Sequence, residues 1–149
     1  MDSDTDSAAR NATGIDECRL VKLREFTDQR GSLAVVEGLI DMPFEMRRVY
    51  YLYDFVPGMR RGGHAHKRLH QLFIAVAGAF DVLLDDGRAK KTIRLSDPGE
   101  ALYVCPMMWR EIDNVAPGSV CLVLASTNYD EDDYYRSHDE FRKAVTRRE

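Results

Sequence analysis

The sequence has little of what marks membrane, secreted or nucleic-acid-binding proteins. Its three cysteines, Cys18, Cys105 and Cys121, are odd in number and lack CxxC spacing, which disfavours a disulfide framework or a zinc ribbon. No apolar run approaches the roughly 18–20 residues of a membrane helix, and the N-terminus lacks a signal-peptide core. With 21 basic and 25 acidic residues, the chain carries no basic block for nucleic acid. We therefore expect a cytoplasmic protein with no membrane or nucleic-acid partner.

The amino-acid composition is that of a single globular domain. The 149 residues are 44% hydrophobic and 31% charged, with a formal net charge of −4, so the chain can bury a real core. Residues 1–14 are small and polar, and we predict that they form a disordered tail. Residues 15–149 are predicted to form a single domain.

Short β-rich runs alternate with turn residues along most of the chain. The predicted strands cover 20–26, 32–37, 46–53, 71–78, 79–87, 88–95, 101–104, 109–112 and 119–126, and 56–63 reads as a Gly-rich loop. Asp86-Gly87 is a hairpin signal, and turns every ~8–12 residues favour an all-β antiparallel sandwich or barrel. Near the C-terminus, the stripe of Tyr134, His138, Phe141 and Val145 predicts a short helix packed on that barrel.

The most informative segment is GMRRGGHAHKRLHQLFIAVAG, residues 58–78. Side chains two apart on a strand point to the same face, so His64 and His66 are predicted to project together. If strand pairing brings Gln71 beside them, the barrel interior holds a polar cluster. The alternative is that both histidines are ordinary surface residues.

The spacing resembles the first motif of the cupin superfamily, in which a glycine, an H-x-H pair, an acid and a second glycine follow one another. Gln71 stands where that motif has its acid. In metal-dependent cupins a second motif supplies a further histidine, and that position falls at about Glu111 here. Two histidines and a neutral amide make a weak divalent-metal site. We therefore predict a cupin that binds no metal and no other cofactor, with histidines free to move protons.

The two most specific segments of the sequence are RGGHAHK (61–67) and YDEDDYYRSHDEF (129–141). These segments, with others between 20 and 141, resemble the WxcM-like cupins, sugar 3,4-ketoisomerases that act on dTDP-4-dehydro-6-deoxyglucose. The resemblance implies a jelly-roll cupin, a domain-swapped homodimer and a dTDP-linked 4-keto-6-deoxy sugar as substrate. It also implies an enediol intermediate and a place in deoxyaminosugar biosynthesis for a lipopolysaccharide or S-layer glycan.

The reaction moves a carbonyl from C4 to C3 and needs a base, a proton shuttle and a donor for the enediolate. Histidine, with an unperturbed pKa near 6.5, suits the first two tasks. By resemblance, His64 is predicted to be the carbon base and His66 the shuttle between the sugar oxygens. Tyr50 matches a family active-site tyrosine and is predicted to donate to the enediolate. Tyr50 and Tyr51 lie on opposite strand faces, and the residue pattern alone favours neither.

Substrate-binding candidates lie around this cluster. Arg48 and Arg61 supply the planar positive donors that a diphosphate needs, although either could be a solvated surface charge. Arg30, in a turn, is a weaker candidate of the same kind. Trp109 either stacks on the thymine or fills the core, and Gln71 belongs with the sugar-binding set.

Three other functions compete with the isomerase. A 3,5-epimerase also removes protons beside a 4-keto group, but it is a longer chain with a differently placed histidine. A metal-dependent cupin dioxygenase would hold iron, and a non-catalytic cupin would bind the nucleotide sugar without turnover. The residues leave open whether the C4 hydroxyl of the product has the gluco or galacto configuration.

Overall fold

Antiparallel strands make up most of the structure, a computed structural model that describes residues 14–147. The predicted tail, apart from Gly14, lies outside the described residues. A 3₁₀ turn (Gly14–Glu17) precedes the first strand. The strands are β1 (Arg19–Lys22), β2 (Arg24–Asp28), β3 (Gly31–Val35), β4 (Arg48–Leu52), β5 (Arg61–His66), β6 (Gln71–Ala77), β7 (Phe80–Asp85), β8 (Lys90–Leu95), β9 (Glu100–Val104), β10 (Trp109–Asp113), β11 (Val120–Ala125) and β12 (Tyr134–Tyr135), followed by helix α1 (His138–Arg147).

Two five-stranded sheets form the body of the fold. The first has the order β1-β9-β6-β11-β4 and the second β12-β5-β10-β7-β8, while β2 and β3 pair only with each other. Every strand pair in both sheets is antiparallel. This arrangement confirms the predicted cupin jelly roll with a short C-terminal helix.

The core lies between the two sheets because apolar side chains alternate along the strands. In β7, Phe80, Val82 and Leu84 are buried, whereas the side chains between them are only partly covered. Phe73 and Val123 are buried on the facing sheet. Full burial of such a side chain contributes about 1.5–3 kcal/mol, so this interior holds the sheets together.

The C-terminal helix packs outside the second sheet. Phe141 and Val145 are buried against Ala65 and Trp109, as the apolar stripe predicts. The prediction that Tyr134 belongs to this helix was wrong, because Tyr134 lies in β12 and pairs with His66 of β5. The backbone of Tyr134 is part of the sheet and not of a helical turn. Helical hydrogen bonding starts at the Ser137 carbonyl oxygen.

Two strand predictions also need correction. The run 20–26 is divided at Leu23, which is buried and separates β1 from β2. The predicted Gly-rich loop 56–63 contains the start of β5 at Arg61, because its glycines tolerate the pairing irregularity opposite β10. The hairpin between β7 and β8 falls at Asp86-Gly87 as predicted. Within residues 14–147, no helix is long and apolar enough to cross a membrane.

Gly78, the last glycine of the cupin-like motif, allows a close approach between β6 and the start of β11. Its φ is +71°, and an added Cβ would lie 2.7 Å from Cα of Ser119. Gly118 has a similar φ of +76°, but an added Cβ there would meet open space. A left-handed conformation costs a non-glycine residue about 1–2 kcal/mol, and overpacking costs about 1–3 kcal/mol more.

We therefore expect Gly78→Ala to lower the free energy of unfolding by about 2–5 kcal/mol, and Gly118→Ala by only about 1–2 kcal/mol. Urea unfolding of the two variants beside the wild type measures the difference. Equal losses at the two positions would show that the contact with Ser119 imposes no constraint.

Candidate active site

A cavity of about 510 Å³ opens on one side of the sandwich, where the edge strand β4 faces β5 and β12. It is lined by Arg48, Tyr50, Leu52, Arg61, Gly62, Gly63, His64, Tyr134 and Arg136. No further strand of the described chain covers the sheet edges here, so polar side chains of the inner faces reach the opening. The cavity is the candidate active site.

The H-x-H pair projects to one face of β5, as its spacing predicts. The His64 and His66 ring centroids lie 4.9 Å apart with nearly perpendicular planes. His64 lines the cavity, whereas His66 lies behind it with 1% exposure. The Tyr134 ring is 5.2 Å from the His64 ring and 4.3 Å from the His66 ring. Tyr134 therefore fixes one side of both imidazoles.

A buried carboxylate sets the tautomer of His66. Nδ1 of His66 lies 3.1 Å from Oδ2 of Asp133, which is itself buried. A carboxylate accepts hydrogen bonds, so the Nδ1–H donates and Nε2 carries the lone pair. Nε2 is buried and has no partner among the described residues. Asp133 is held in turn by the backbone N–H of Arg68 at 2.8 Å.

A buried arginine lies beneath the histidines. Arg110 is fully buried, and its Nε donates to the Met108 carbonyl at 2.9 Å. Its Nη1 donates to Oε1 of Gln71, and Nε2 of Gln71 donates to the Tyr50 hydroxyl at 2.8 Å. Tyr50 thus faces the interior, whereas Tyr51 is 60% exposed, which answers the question that strand alternation left open.

The residue that β10 contributes to this interior is Arg110, one residue before Glu111, near which the sequence spacing puts the second cupin motif. Arg110 pairs across the sheet with His64, so the two side chains share a face. Glu111 projects to the other face, where it contacts Arg60 at 3.6 Å. A shift of one residue along a strand reverses the face, and the motif spacing was accurate only to about one residue.

Burial and positive charge keep both histidines neutral. Burial, with a further contribution from Arg110, lowers the pKa of His64 to about 3. The same causes, in the same order, lower the pKa of His66 to about 2. Burial raises the pKa of Tyr50, while Arg110 and the Gln71 hydrogen bond oppose that rise. At neutral pH the site therefore presents two unprotonated imidazoles and a protonated phenol.

Three guanidinium groups surround the cavity opening. Arg48 lies over the Tyr50 ring at 5.4 Å, and its buried Nε has no partner among the described residues. Arg61 is exposed. Arg136 lies 4.1 Å above the Tyr134 ring and forms an ion pair with Glu131. These groups give the opening a positive rim suited to an anionic ligand.

Three of the predicted substrate-binding residues do not line the cavity in the single chain. The Arg30 side chain is 90% exposed, and it binds Asp28 within its own turn. Trp109 is buried beside Phe141 and meets His138 edge-on, so it occupies the position of a core residue. Gln71 also does not line the cavity, and it reaches the site through Tyr50.

Sequence reasoning missed four residues of the site: Asp133, Tyr134, Arg136 and Arg110. The first three belong to the YDEDDYYRSHDEF segment, which predicts the family and a helix but to which no site residue is assigned. Arg110 had a detectable signal, because strand alternation places it on the same face as the buried Ile112. An arginine at a core-facing strand position marks a functional interior.

Residues 14–147 contain no cluster of three or more His, Cys, Asp or Glu side chains arranged to hold a metal ion. Beside the histidine pair lie the Tyr134 phenol and the Arg110 guanidinium, and the Asp133 carboxylate is already engaged by Nδ1–H of His66. A guanidinium has no lone pair to offer a cation, so this donor set does not fit a divalent metal.

Fold and site together define a cupin whose barrel holds a histidine pair and a buried arginine in place of a metal centre. The chain belongs to the WxcM-like family: the family model described as "FdtA: WxcM-like, C-terminal" matches residues 16–146.

The chain is similar to several characterised proteins over nearly its whole length. It is 39% identical over 131 residues to a TDP-4-oxo-6-deoxy-alpha-D-glucose-3,4-oxoisomerase from Aneurinibacillus thermoaerophilus, covering 88% of this chain and 94% of that protein. It is 43% identical to the TDP-quinovose 3,4-ketoisomerase WlaRB from Campylobacter jejuni, with a TM-score of 0.83 and coverage of 87% and 99%. A mutant of the 3,4-ketoisomerase QdtA from Thermoanaerobacterium thermosaccharolyticum, in complex with TDP-4-keto-6-deoxyglucose, is 39% identical, with a TM-score of 0.85 and coverage of 88% and 95%.

Proposed function

We propose that this protein is a sugar 3,4-ketoisomerase that converts dTDP-4-dehydro-6-deoxyglucose to the 3-dehydro sugar. The observation that carries the proposal is the placement of His64 and Tyr50 on one cavity with His66 directly behind His64, in a chain 39% identical to a 3,4-oxoisomerase of this class. The enzyme is an isomerase. The reaction needs no net oxidation, because the C4 carbonyl becomes a hydroxyl as the C3 hydroxyl becomes a carbonyl.

His64 is the proposed carbon base. It lines the cavity and is partly exposed, so its ring can reach a bound sugar, whereas His66 lies behind it. The lowered pKa keeps His64 unprotonated and ready to take the C3 proton. The imidazolium that forms beside Arg110 is destabilised, and this favours return of a proton to carbon C4.

His66 is the proposed shuttle between the sugar oxygens. Its Nε2 accepts the proton from the C3 hydroxyl and delivers it to the C4 oxygen as the enediolate is resolved. Asp133 holds Nδ1–H throughout and stabilises the transient charge, as a carboxylate does for the histidine of a catalytic triad. Tyr50 donates to the enediolate oxygen, where a positioned donor lowers the barrier.

The rim arginines are proposed to bind the diphosphate. Arg48 and Arg61 line the cavity, and Arg136 joins them there. Guanidinium groups donate paired hydrogen bonds to phosphate oxygens, which fits an anion at this opening. Arg30 and Trp109 remain candidates for contacts that the single chain does not form.

The isomerase fits better than the epimerase alternative. A dTDP-4-dehydrorhamnose 3,5-epimerase from Bacillus anthracis is 18% identical with a TM-score of 0.69, a likeness of fold alone. A 3-keto sugar product is the electrophile that an aminotransferase needs, which supports a place in deoxyaminosugar synthesis. The three cysteines are free thiols, and these suit the reducing cytoplasm that the proposal implies.

The roles of the two histidines can be separated by exchange with D₂O. We expect wild-type protein to give the 3-keto product by NMR and to exchange the C3 proton. His64→Asn should lower turnover by at least about a hundredfold and abolish C3 exchange, because general base catalysis supplies roughly 10²–10⁴-fold. His66→Asn should slow turnover less and keep some exchange, since water can partly replace a shuttle between oxygens.

Binding of dTDP is the control for both histidine variants, and its Kd should barely change because the diphosphate contacts lie elsewhere. Wild-type C3 exchange in His64→Asn would mean that another group is the base. A wild type that makes no 3-keto product would refute the isomerase itself.

Exhaustive chelation should leave turnover unchanged. Arg110 lies opposite His64, where a metal would need a lone-pair donor, and it also engages the Gln71 amide oxygen. The measurement is kcat before and after prolonged dialysis against EDTA, with metal content determined in parallel. Loss of activity that one metal restores would overturn the assignment.

The β2–β3 hairpin supports the proposed homodimer. Within residues 14–147 no other strand pairs with either of its edges, and Phe26 and Leu33 form a cross-strand pair on one face, 62% and 58% exposed. Unpaired edges and exposed apolar pairs favour association with another chain. Among the N-terminal strands, β1 pairs with β9 of its own chain, so the hairpin is the better candidate element for exchange between subunits.

Light scattering at micromolar concentration should give a mass twice that of the chain. Phe26→Asp combined with Leu33→Asp should shift the protein to a monomer, because two charges would be buried without partners. Thr27→Asp is the matched control, since Thr27 lies opposite Ser32 on the other face of the same hairpin. A monomeric wild type would contradict the dimer.

A further inference from the structure

The Gln71 side chain is polar yet buried, so the packing of apolar groups does not explain its place in the fold. The side chain is fully buried, with Arg110 on one side and Tyr50 on the other. A buried amide must satisfy both its carbonyl and its NH₂ group, and here each has one polar partner. The chemistry of those partners fixes which way the amide points.

Arg110 determines the orientation of the amide. A guanidinium only donates hydrogen bonds, so the Gln71 oxygen must face it. The guanidinium is anchored by the Met108 carbonyl and cannot easily turn away. The NH₂ group of Gln71 is therefore directed at the Tyr50 hydroxyl, at 2.8 Å. A flipped amide would set two donors against each other in a buried site, which makes that orientation unfavourable.

The amide then determines what the Tyr50 hydroxyl can do. Because Nε2 of Gln71 donates, the phenol oxygen accepts, and the phenol proton must point elsewhere. That proton has no acceptor among residues 14–147, and Tyr50 lines the cavity. The hydroxyl is thus held as a donor toward a ligand in the cavity, with no competing acceptor in the described part of the chain.

We propose that Gln71 is a positioning residue that holds the Tyr50 hydroxyl as a hydrogen-bond donor to the enediolate. The directed chain runs from Arg110 through the Gln71 amide to the Tyr50 hydroxyl and ends at the substrate oxygen. A hydrogen bond donated to the phenol oxygen also stabilises the phenolate, so it favours proton donation. This inference rests on the proposed isomerase activity, and it concerns a residue that does not touch the sugar.

A carboxylate at position 71 should reverse the direction of the hydrogen bond between this side chain and the Tyr50 hydroxyl. Gln71→Glu keeps the size of the side chain and its contact with Arg110, but a carboxylate accepts the Tyr50 proton instead of donating to its oxygen. We expect kcat to fall by about 10²–10³-fold, as for the loss of one oxyanion donor, with the Kd for dTDP unchanged. All assays contain EDTA, because two histidines and a glutamate together could recruit a metal.

The decisive test introduces Gln71→Glu into a protein that already carries Tyr50→Phe. If Gln71 acts through Tyr50, then Tyr50→Phe with Gln71→Glu should have the same kcat as Tyr50→Phe alone, within about twofold. Losses that multiply in the double variant would show that Gln71 acts by another route and would overturn the proposal. Wild-type turnover in Gln71→Glu would overturn it too, whereas an inactive wild type would instead refute the isomerase.

Folding of each variant is checked by thermal unfolding. If Gln71→Glu does not fold, Gln71→Met replaces it as a near-isosteric side chain without a donor, which frees the Tyr50 hydroxyl to rotate. Gln71→Met should lower kcat when Tyr50 is present and should have no further effect when it is added to Tyr50→Phe. Equal fractional losses in both backgrounds would contradict the proposal.

Discussion

The placement of a guanidinium inside the barrel is the constraint on which the site depends. Burying a charge is costly unless its hydrogen bonds are met, and Arg110 meets two of them, with the Met108 carbonyl and the Gln71 amide, while its Nη2 is buried without a partner among the described residues. Its positive charge adds to the effect of burial in lowering the pKa of His64 and His66, and it opposes the rise in that of Tyr50. One side chain thus acts on the protonation of every group proposed to handle protons.

The same residue makes this barrel interior better suited to the proposed proton transfer than to metal binding. A cation needs lone pairs around it, and the position beside the H-x-H pair offers N–H groups. Gln71, which replaces the acid of the metal-binding motif, is matched to this environment because a neutral amide can accept from Arg110 and donate to Tyr50. A carboxylate there would pair with the arginine but would lose the donor.

The C-terminal segment completes the site from the edge of the second sheet. The two-residue strand β12 pairs with β5 and brings Tyr134 against both histidine rings. The preceding Asp133 reaches His66, and the following Arg136 reaches the cavity rim. Helix α1 then buries Phe141 on the outside of the second sheet. Docking of the helix therefore holds Tyr134, Asp133 and Arg136 in one arrangement around the histidine pair and the cavity rim.

Strand alternation and turn chemistry are local, so the sequence by itself determined the all-β fold, the β7–β8 hairpin and the common face of His64 and His66. Its motifs also led to the family. The sequence did not decide that Tyr50 rather than Tyr51 faces inward, because a strand offers two faces and only the partner sheet selects one. Nor did it find that Arg110 replaces Glu111 beside His64, or that Asp133 lies against His66, 67 positions away in the chain. Those contacts join residues far apart in sequence, and only the pairing of β5 with β10 and with β12 in the folded sheet brings them together.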